Sequence, residues 1–291
     1  MRRLDVGHEL RFGLCTDQNL SWERTLERWL LYEELGFDSV WLCDHLIQPS
    51  RPDGPYLEAW TLLAALAART HRIRIGVLVS SNTFRHPALL AREAVTVDHV
   101  SGGRLELGLG AGWYQPEHTA FGIDFPAPGE RVARFREAVE VVDRLLREEV
   151  TTYEGRHYRL RQAPTRPAPV QRPRPPLTLG AHGPRMLRIV ARYADRWNSH
   201  GTVEEIKLRN ATLDRACREV GRDPERIVRS LYYWVPRSQE DPWSSAEAFV
   251  QVIDRYREAG ITDFILDHPR DDQLDVLEQV ATEVIPRLRL A

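Results

Sequence analysis

Apolar residues in this chain fall into two alternating kinds of segment. Short runs that are apolar on both faces, such as RFGLC at 11–15, are separated by longer stretches in which apolar positions recur every three or four residues. The first stretch of helical period is SWERTLERWLLYEEL, with Ser21 as its N-cap and Gly36 as its terminator. The pair then repeats. SVWLCD (39–44) precedes LEAWTLLAALAART, IRIGVLV (73–79) precedes PALLAREAVTVDHV, and LELGLG (105–110) precedes ERVARFREAVEVVDRLLREE. Further on, PLTLG (176–180) leads into PRMLRIVARY, DRWNSH (195–200) into VEEIKLRNATLDRACREV, RIVRSLYYWV (226–235) into SAEAFVQVIDRYREAG, and ITDFILD (261–267) into a final helix. That makes eight strands and eight helices. Strands apolar on both faces, each followed by a crossover helix, predict a parallel sheet covered by helices. Eight such units predict an α/β fold of the closed (β/α)8 TIM barrel type, a single domain over 1–291. An open doubly wound sheet is the rival, but nothing marks its topological switch point.

The alternation is interrupted once, between the fourth helix and the fifth strand. Residues 150–176 begin with VTTYEGRHYRL, which reads as two short strands around Glu154 and Gly155, and end in a run holding Pro164, Pro167, Pro169, Pro173, Pro175 and Pro176. Such a run continues neither a helix nor a central strand, so it must pass over the surface as an extended connection. It leaves from the N-terminal face of the barrel; a decorated linker and a partial cover over the site are both compatible with its length.

Composition removes whole classes of function. With 40 basic against 42 acidic residues, the chain has no field that would draw it to nucleic acid or to an anionic membrane. Lys207 is the only lysine, which reads as a GC-rich coding bias. Cys15, Cys43 and Cys217 are odd in number and lack metal-ligand spacing, so neither a disulfide framework nor a metal site is expected. The opening MRRLDVGHELRFG lacks the apolar core of a signal peptide, and no stretch approaches ~20 apolar residues, which predicts a soluble, cytoplasmic protein.

In a barrel of this kind chemistry sits at the C-terminal ends of the strands. The second predicted strand ends in Cys43, Asp44 and His45, where an Asp beside a His orients imidazole and makes it a proton donor or acceptor. The third ends in VSSNTFRHP, whose Ser80, Ser81 and Asn82 offer hydrogen bonds to a polar ring edge. The fourth runs LGLGAGW, with Gly108, Gly110 and Gly112 permitting close backbone approach and Trp113 following, then Glu117 and His118. Glu117 reads either as a polar site residue or as a helix cap. The fifth ends in GAHGPRM, which sets Gly180, Gly183 and Arg185 at a helix N-terminus, a ready anion site. There is no early G-x-G-x-x-G, Walker lysine motif, H-E-x-x-H or G-x-S-x-G. What is left suits an elongated phosphorylated ring cofactor such as a flavin.

The blocks LGFDSVWLCDHL, TFRHPALLAREAVTVDHVSGGRLELGLGAGWYQPEHTAFGIDFP, GERVARFREAVEVV, TYEGRHY and LTLGAHGPRMLRIVARYADRWN occur in that order. Together they resemble the luciferase-like monooxygenase superfamily over nearly the full length, and especially its branch using the deazaflavin coenzyme F420. The resemblance implies a TIM barrel with the cofactor ring across the C-terminal mouth and its phosphate near strand five. It implies that Asp44 and His45 lie by the reactive part of the ring, with His45 handling a proton or helping to place the ring. Leu78 and Val79 match a nonprolyl cis peptide behind the ring, and Ser81 a nearby polar contact. Gly180, His182, Gly183 and Arg185 match the phosphate-binding segment. Gly112 would let the strand-four backbone turn beneath the cofactor, with Trp113 and Glu117 on the substrate side. The F420-dependent glucose-6-phosphate dehydrogenases similar to this chain carry a catalytic glutamate where Trp113 stands. Flavin-dependent members often have a second His at the position of Asp44. The expectation is therefore an oxidoreductase moving a hydride between F420 and a small organic substrate, in a homodimer as is common in the family. A monooxygenase using reduced FMN and oxygen, and a noncatalytic flavin- or deazaflavin-binding protein, are the alternatives.

Overall fold

The structure, a computed structural model, describes residues 8–16, 18–238 and 240–290. Eight parallel strands close on themselves: β1 (Arg11–Cys15), β2 (Ser39–Leu42), β3 (Arg74–Val77), β5 (Leu105–Gly110), β8 (Leu177–Gly180), β9 (Arg196–Ser199), β10 (Val228–Tyr233) and β11 (Asp263–Asp267), with β11 pairing back onto β1. The expected (β/α)8 TIM barrel is what forms. The predicted third strand is broken, since the Leu78–Val79 peptide bond is cis and a two-residue strand, β4 (Ser80–Ser81), resumes pairing with β5 beyond it.

The crossover helices are α1 (Trp22–Glu34), α2 (Ala59–Ala67), α3 (Pro87–Val100), α5 (Pro128–Arg147), α6 (Pro184–Tyr193), α7 (Val203–Glu219) and α8 (Ala246–Arg257). The last helical stretch is α9 (Leu274–Gln279) and α10 (Ile285–Leu290), joined by a π-helical turn over Val280–Val284. A short helix, α4 (Gln115–Ala120), was not anticipated; it sits in the loop after β5 and is opened by Pro116. Ser21 caps α1 by accepting from the Arg24 amide, as its position suggested. None of the helices is long and apolar enough to cross a membrane among the described residues.

The inside of the barrel changes character with height because inward side chains recur at every second residue. At the N-terminal end, Glu106 on β5 accepts from Arg11 (3.0 Å) and Arg74 (2.5 Å) and pairs with Arg196, while Asp263 lies 3.4 Å from Arg196. One step up, Asn198 donates to Ser230, which donates to Asp263 (2.5 Å). Trp41 fills the middle, and Gly76 faces it because a Cβ there would stand 2.5 Å from the indole. Cys15, Leu78 and Ile265 cluster with Trp41 inside the barrel, and Cys15 and Leu78 also line the C-terminal mouth. The larger apolar core lies outside, between strands and helices.

The interruption is a hairpin of β6 (Val150–Glu154) and β7 (Arg159–Pro164), followed by the proline-rich run. Its tip reaches the upper edge of the barrel, where the Tyr158 hydroxyl accepts from Asn82 (3.2 Å) and its ring meets His86 edge-on. The return path is pinned to the lower end, with Gln171 bonded to Asp98 (2.8 Å) and Arg174 to Asp143 (2.6 Å) and Asp195 (2.5 Å). No residue of 150–176 lines the mouth.

Candidate functional site

A concavity of about 790 Å³ opens over the C-terminal ends of the strands. Of the residues singled out from sequence, Asp44, His45, Leu78, Val79, Ser81, Gly112, Trp113, Glu117, Gly180, His182 and Gly183 line it, and Arg185 does not.

Asp44 and His45 were expected to act on each other, and they do not. Consecutive residues leaving a strand point to opposite sides. The buried Asp44 carboxylate accepts from the Ser81 amide (2.6 Å) and takes the Arg85 guanidinium in a two-pronged contact of 2.6 and 3.0 Å. It thereby ties the end of β2 to β4. The His45 ring turns toward α4, where its Nδ1 lies 2.9 Å from Glu117 Oε1. Glu117 is buried, and its Oε2 accepts from the Leu46 amide (2.9 Å), so this carboxylate neither caps α4 nor sits loose in the mouth. It holds one edge of the imidazole and directs Nε2 away from itself.

The glycines of LGLGAGW have a different use from the one expected. Val79, following the cis bond, extends its side chain over β5 and β8. A Cβ on Gly110 or Gly180 would stand 2.6 or 2.9 Å from Val79 Cγ2, and one on Gly108 only 2.0 Å from the Val77 carbonyl. These glycines make room for the bulge, and the bulge forms the floor of the mouth. Gly112 is a separate case: its φ is +81°, and a Cβ would meet Thr83 Oγ1 at 2.7 Å and Ser81 Oγ at 2.9 Å. Ser81 and Thr83 share a hydrogen bond of 2.7 Å, and Thr83 shares another of 2.7 Å with His118 Nε2, whose Nδ1 meets the Tyr114 carbonyl. His118 is thus a strut between the β4 loop and α4.

At the far end of the mouth, Gly183 is the N-cap of α6 and supplies no side chain to the first-turn amides, and a Cβ at Gly183 would meet nothing within 4 Å. Amides left without intrahelical partners, at the positive end of the helix dipole and beside open space, suit a phosphate. Arg185 misses the site for a helical reason. At about 100° per residue, Gly183 and Met186 share the face that lines the mouth, whereas Arg185 points outward, near Gly129. His182 packs edge-on against His200 with ring centroids 4.3 Å apart. Displacement of water by the surrounding walls, then the neighbouring His200 and Arg209, lower its pKa, so it faces the cavity as a neutral imidazole at ordinary pH.

Sequence reasoning missed His200, Trp234, Tyr232 and Asp267, all of which line the mouth. Their signal was available, since each stands at the C-terminal end of a predicted strand. Trp234 and Trp113 face each other at 6.2 Å and 67°, and Trp113 also meets His45 edge-on at 5.6 Å. Arg85 was missed too, though it lies in the quoted TFRHP block. Among the described residues no three His, Cys, Asp or Glu side chains converge as metal ligands. The apolar floor, aromatic side wall and uncapped helix end together fit a flat ring with a phosphate attached some way from it.

The fold and its open, aromatic mouth are those of a (β/α)8 barrel enzyme. The sequence profile described as luciferase-like monooxygenase matches residues 9–279, and the chain belongs to that family. Among its relatives, a protein of Microbacterium testaceum named F420-dependent glucose-6-phosphate dehydrogenase is 30% identical over 96% of this chain and 98% of its own length. One of the same name from Intrasporangium calvum is 31% identical over 88% of this chain and 92% of its own. Solved structures share the fold: an F420-dependent secondary alcohol dehydrogenase in complex with an F420-acetone adduct superposes with a TM-score of 0.81 at 22% identity, covering 94% of this chain and 98% of that one. The coenzyme F420-dependent tetrahydromethanopterin reductase of Methanopyrus kandleri gives 0.82 at 19% identity, covering 96% and 99%.

Proposed function

We propose that this protein is an F420-dependent oxidoreductase that moves a hydride between the deazaflavin and a small organic substrate. The observation that carries the reading is the His45–Glu117 pair set at one side of an apolar, aromatic mouth whose other end is the uncapped N-terminus of α6. The names of the curated relatives support the choice of cofactor.

When bound, F420 supplies the ring carbon that gives or takes the hydride. The residues of the chain do the rest. The first-turn amides of α6 would hold the phosphate, and Val79 and Leu78 would give the ring an apolar surface to lie against. The Glu117 carboxylate accepts from His45 Nδ1, which leaves Nε2 of this cavity-lining side chain as the nitrogen available to a substrate. In the oxidising direction Nε2 takes the hydroxyl proton of an alcohol as the hydride leaves its carbon; in the reducing direction it returns that proton to the carbonyl oxygen. Trp113 and Trp234 would give the reacting carbon an aromatic side wall.

The test is direct. Purified protein is titrated with F420 and with FMN, and turnover is then followed as loss of F420 absorbance with glucose 6-phosphate and with a series of secondary alcohols. Submicromolar F420 binding with reduction by at least one alcohol or sugar phosphate is the expected result. FMN binding without F420 binding would transfer the assignment to the monooxygenase reading. Cofactor binding with a His45→Gln variant as active as the parent would remove the proton role.

A further inference from the structure

Two of the three cysteines meet inside the mouth. Inward side chains recur at every second residue, which sets Gly13 and Cys15 of β1 beside Ser39 and Trp41 of β2, with Cys43 one step further up. At the top of this ladder the Cys15 and Cys43 sulfurs lie 3.4 Å apart. Both residues line the cavity, and they differ in access: Cys15 is 2% exposed, whereas Cys43 is half-buried. Cys217 lies elsewhere, on α7, in the apolar core outside the strands. All three are free thiols.

The pair is arranged for reaction between its members. A disulfide bond is about 2.0 Å long, so the sulfurs have about 1.4 Å to close, a distance that side-chain rotation covers. Cys15 is the partner that keeps its proton: its hydrogen bond with Cys43, its burial and the charges of Cys43 and Asp267 push its pKa well up. Cys15 therefore donates and Cys43 accepts. The accepting sulfur is also the one that a solute in the mouth can meet.

We propose that Cys15 and Cys43 form a modification site for hydroperoxides, Cys43 being oxidised first and Cys15 resolving it as an intramolecular disulfide. The Cys43 thiolate attacks one peroxide oxygen; the S–O bond forms, the O–O bond breaks and hydroxide leaves. Cys15 Sγ then attacks the sulfenic acid. The S–S bond forms, the S–O bond breaks, and the Cys15 proton leaves with the hydroxyl as water. In sum, hydrogen peroxide becomes two waters, and each cysteine gives up one electron and one proton. The site goes beyond the cofactor reading and asks nothing of ring or phosphate. Its consequence for the mouth is local: Cys43 directly precedes Asp44 and His45, so the bond ties the segment that carries them to β1.

The experiment uses the full chain, reduced with dithiothreitol, freed of it and exposed to a small excess of hydrogen peroxide. Thiols are then counted after unfolding, and intact mass and peptide maps are recorded. The expected result is a fall from three free thiols to one, a mass lower by two hydrogens, a linked peptide joining Cys15 to Cys43, and recovery of all three thiols with dithiothreitol. A Cys15→Ser variant is expected to halt at the sulfenic acid on Cys43, which dimedone labels, whereas the oxidised parent takes up none. Cys43→Ser is expected to keep both of its remaining thiols. Three thiols surviving peroxide in the parent, a sulfinic acid at Cys43 beside a free Cys15, or a bond between two chains would each overturn the proposal. These parent readouts decide the matter even if a variant fails to fold.

Discussion

The two ends of the barrel are built from the same residue types and put them to opposite uses. At the N-terminal end, Glu106 and Asp263 are enclosed by Arg11, Arg74 and Arg196, so that each buried charge is answered by another. At the C-terminal end the carboxylates are partnered too, but one of them holds a ring that lines the cavity. Glu117 holds one edge of His45, a residue that lines the cavity; Asp44 is consumed by Arg85 and Ser81, and what it positions is backbone. The lower end is closed, with Trp41 above it, whereas the upper end keeps an open floor because Gly110 and Gly180 give way to Val79. A buried charge among its counter-charges is costly to disturb, and an ionisable group that borders a cavity can handle a proton.

The largest expected effect comes from attacking the closed end. Glu106→Ala leaves Arg74 and Arg196 facing each other without their shared carboxylate, and losing one partner of a buried ion cluster costs about 3–5 kcal/mol. Urea denaturation should register that loss, while the protein that stays folded keeps its cofactor affinity. The mirror experiment is His45→Gln, whose amide can still donate to Glu117. Unfolding free energy should hardly move, and kcat should fall about 10²- to 10⁴-fold, as expected for removing a general acid–base. If Glu106→Ala abolished cofactor binding in the folded fraction, or His45→Gln unfolded the protein, the two ends would not be separable.

A smaller effect tests the joint between them. Gly112→Ala puts a methyl group at positive φ and within 2.7 Å of Thr83 Oγ1. The strain and crowding together are expected to cost about 1–3 kcal/mol, with weakened cofactor binding as the Ser81–Thr83–His118 chain shifts. Calorimetry and fluorescence titration on one preparation would show both changes, and an unchanged affinity would mean that the chain supports only the fold.

The closed end was invisible in the sequence and the open end partly legible, for a physical reason. Alternating strands and helices announce a barrel because periodicity is local. Strand ends announce a site because the fold sends chemistry there, which is how His45, Ser81 and Gly183 came into view. Partnerships across strands are not local. Nothing near His45 in sequence points to Glu117, 72 positions away, and the adjacent Asp44 was the tempting wrong partner. Glu106 was hidden in the apolar run LELGLG, where one acidic residue looks like an exposed face. Arg185 was misplaced by a quantity that could have been used, the 100° step of a helix.

The smallest effect concerns the outer hairpin, whose root lies at the closed end and whose tip touches the open one. Glu137 on α5 accepts from the backbone amides of Arg156 (3.2 Å), His157 (2.8 Å) and Tyr158 (3.4 Å). Burial pushes its pKa up, but these three amides pull it down further, and the net shift is downward. A carboxyl whose folded pKa is depressed adds stability that is fully present above its unfolded value, about 4.3, and is lost as pH falls through the lower folded value. Glu137→Gln keeps the shape without the charge. The parent should exceed the variant by about 1 kcal/mol in unfolding free energy at neutral pH, and the difference should shrink steadily below about pH 4. Since no hairpin residue lines the mouth, the affinity for F420 should be the same in both proteins across that range. An affinity that followed the stability loss would mean that the tip, through Tyr158 and Asn82, belongs to the open end after all.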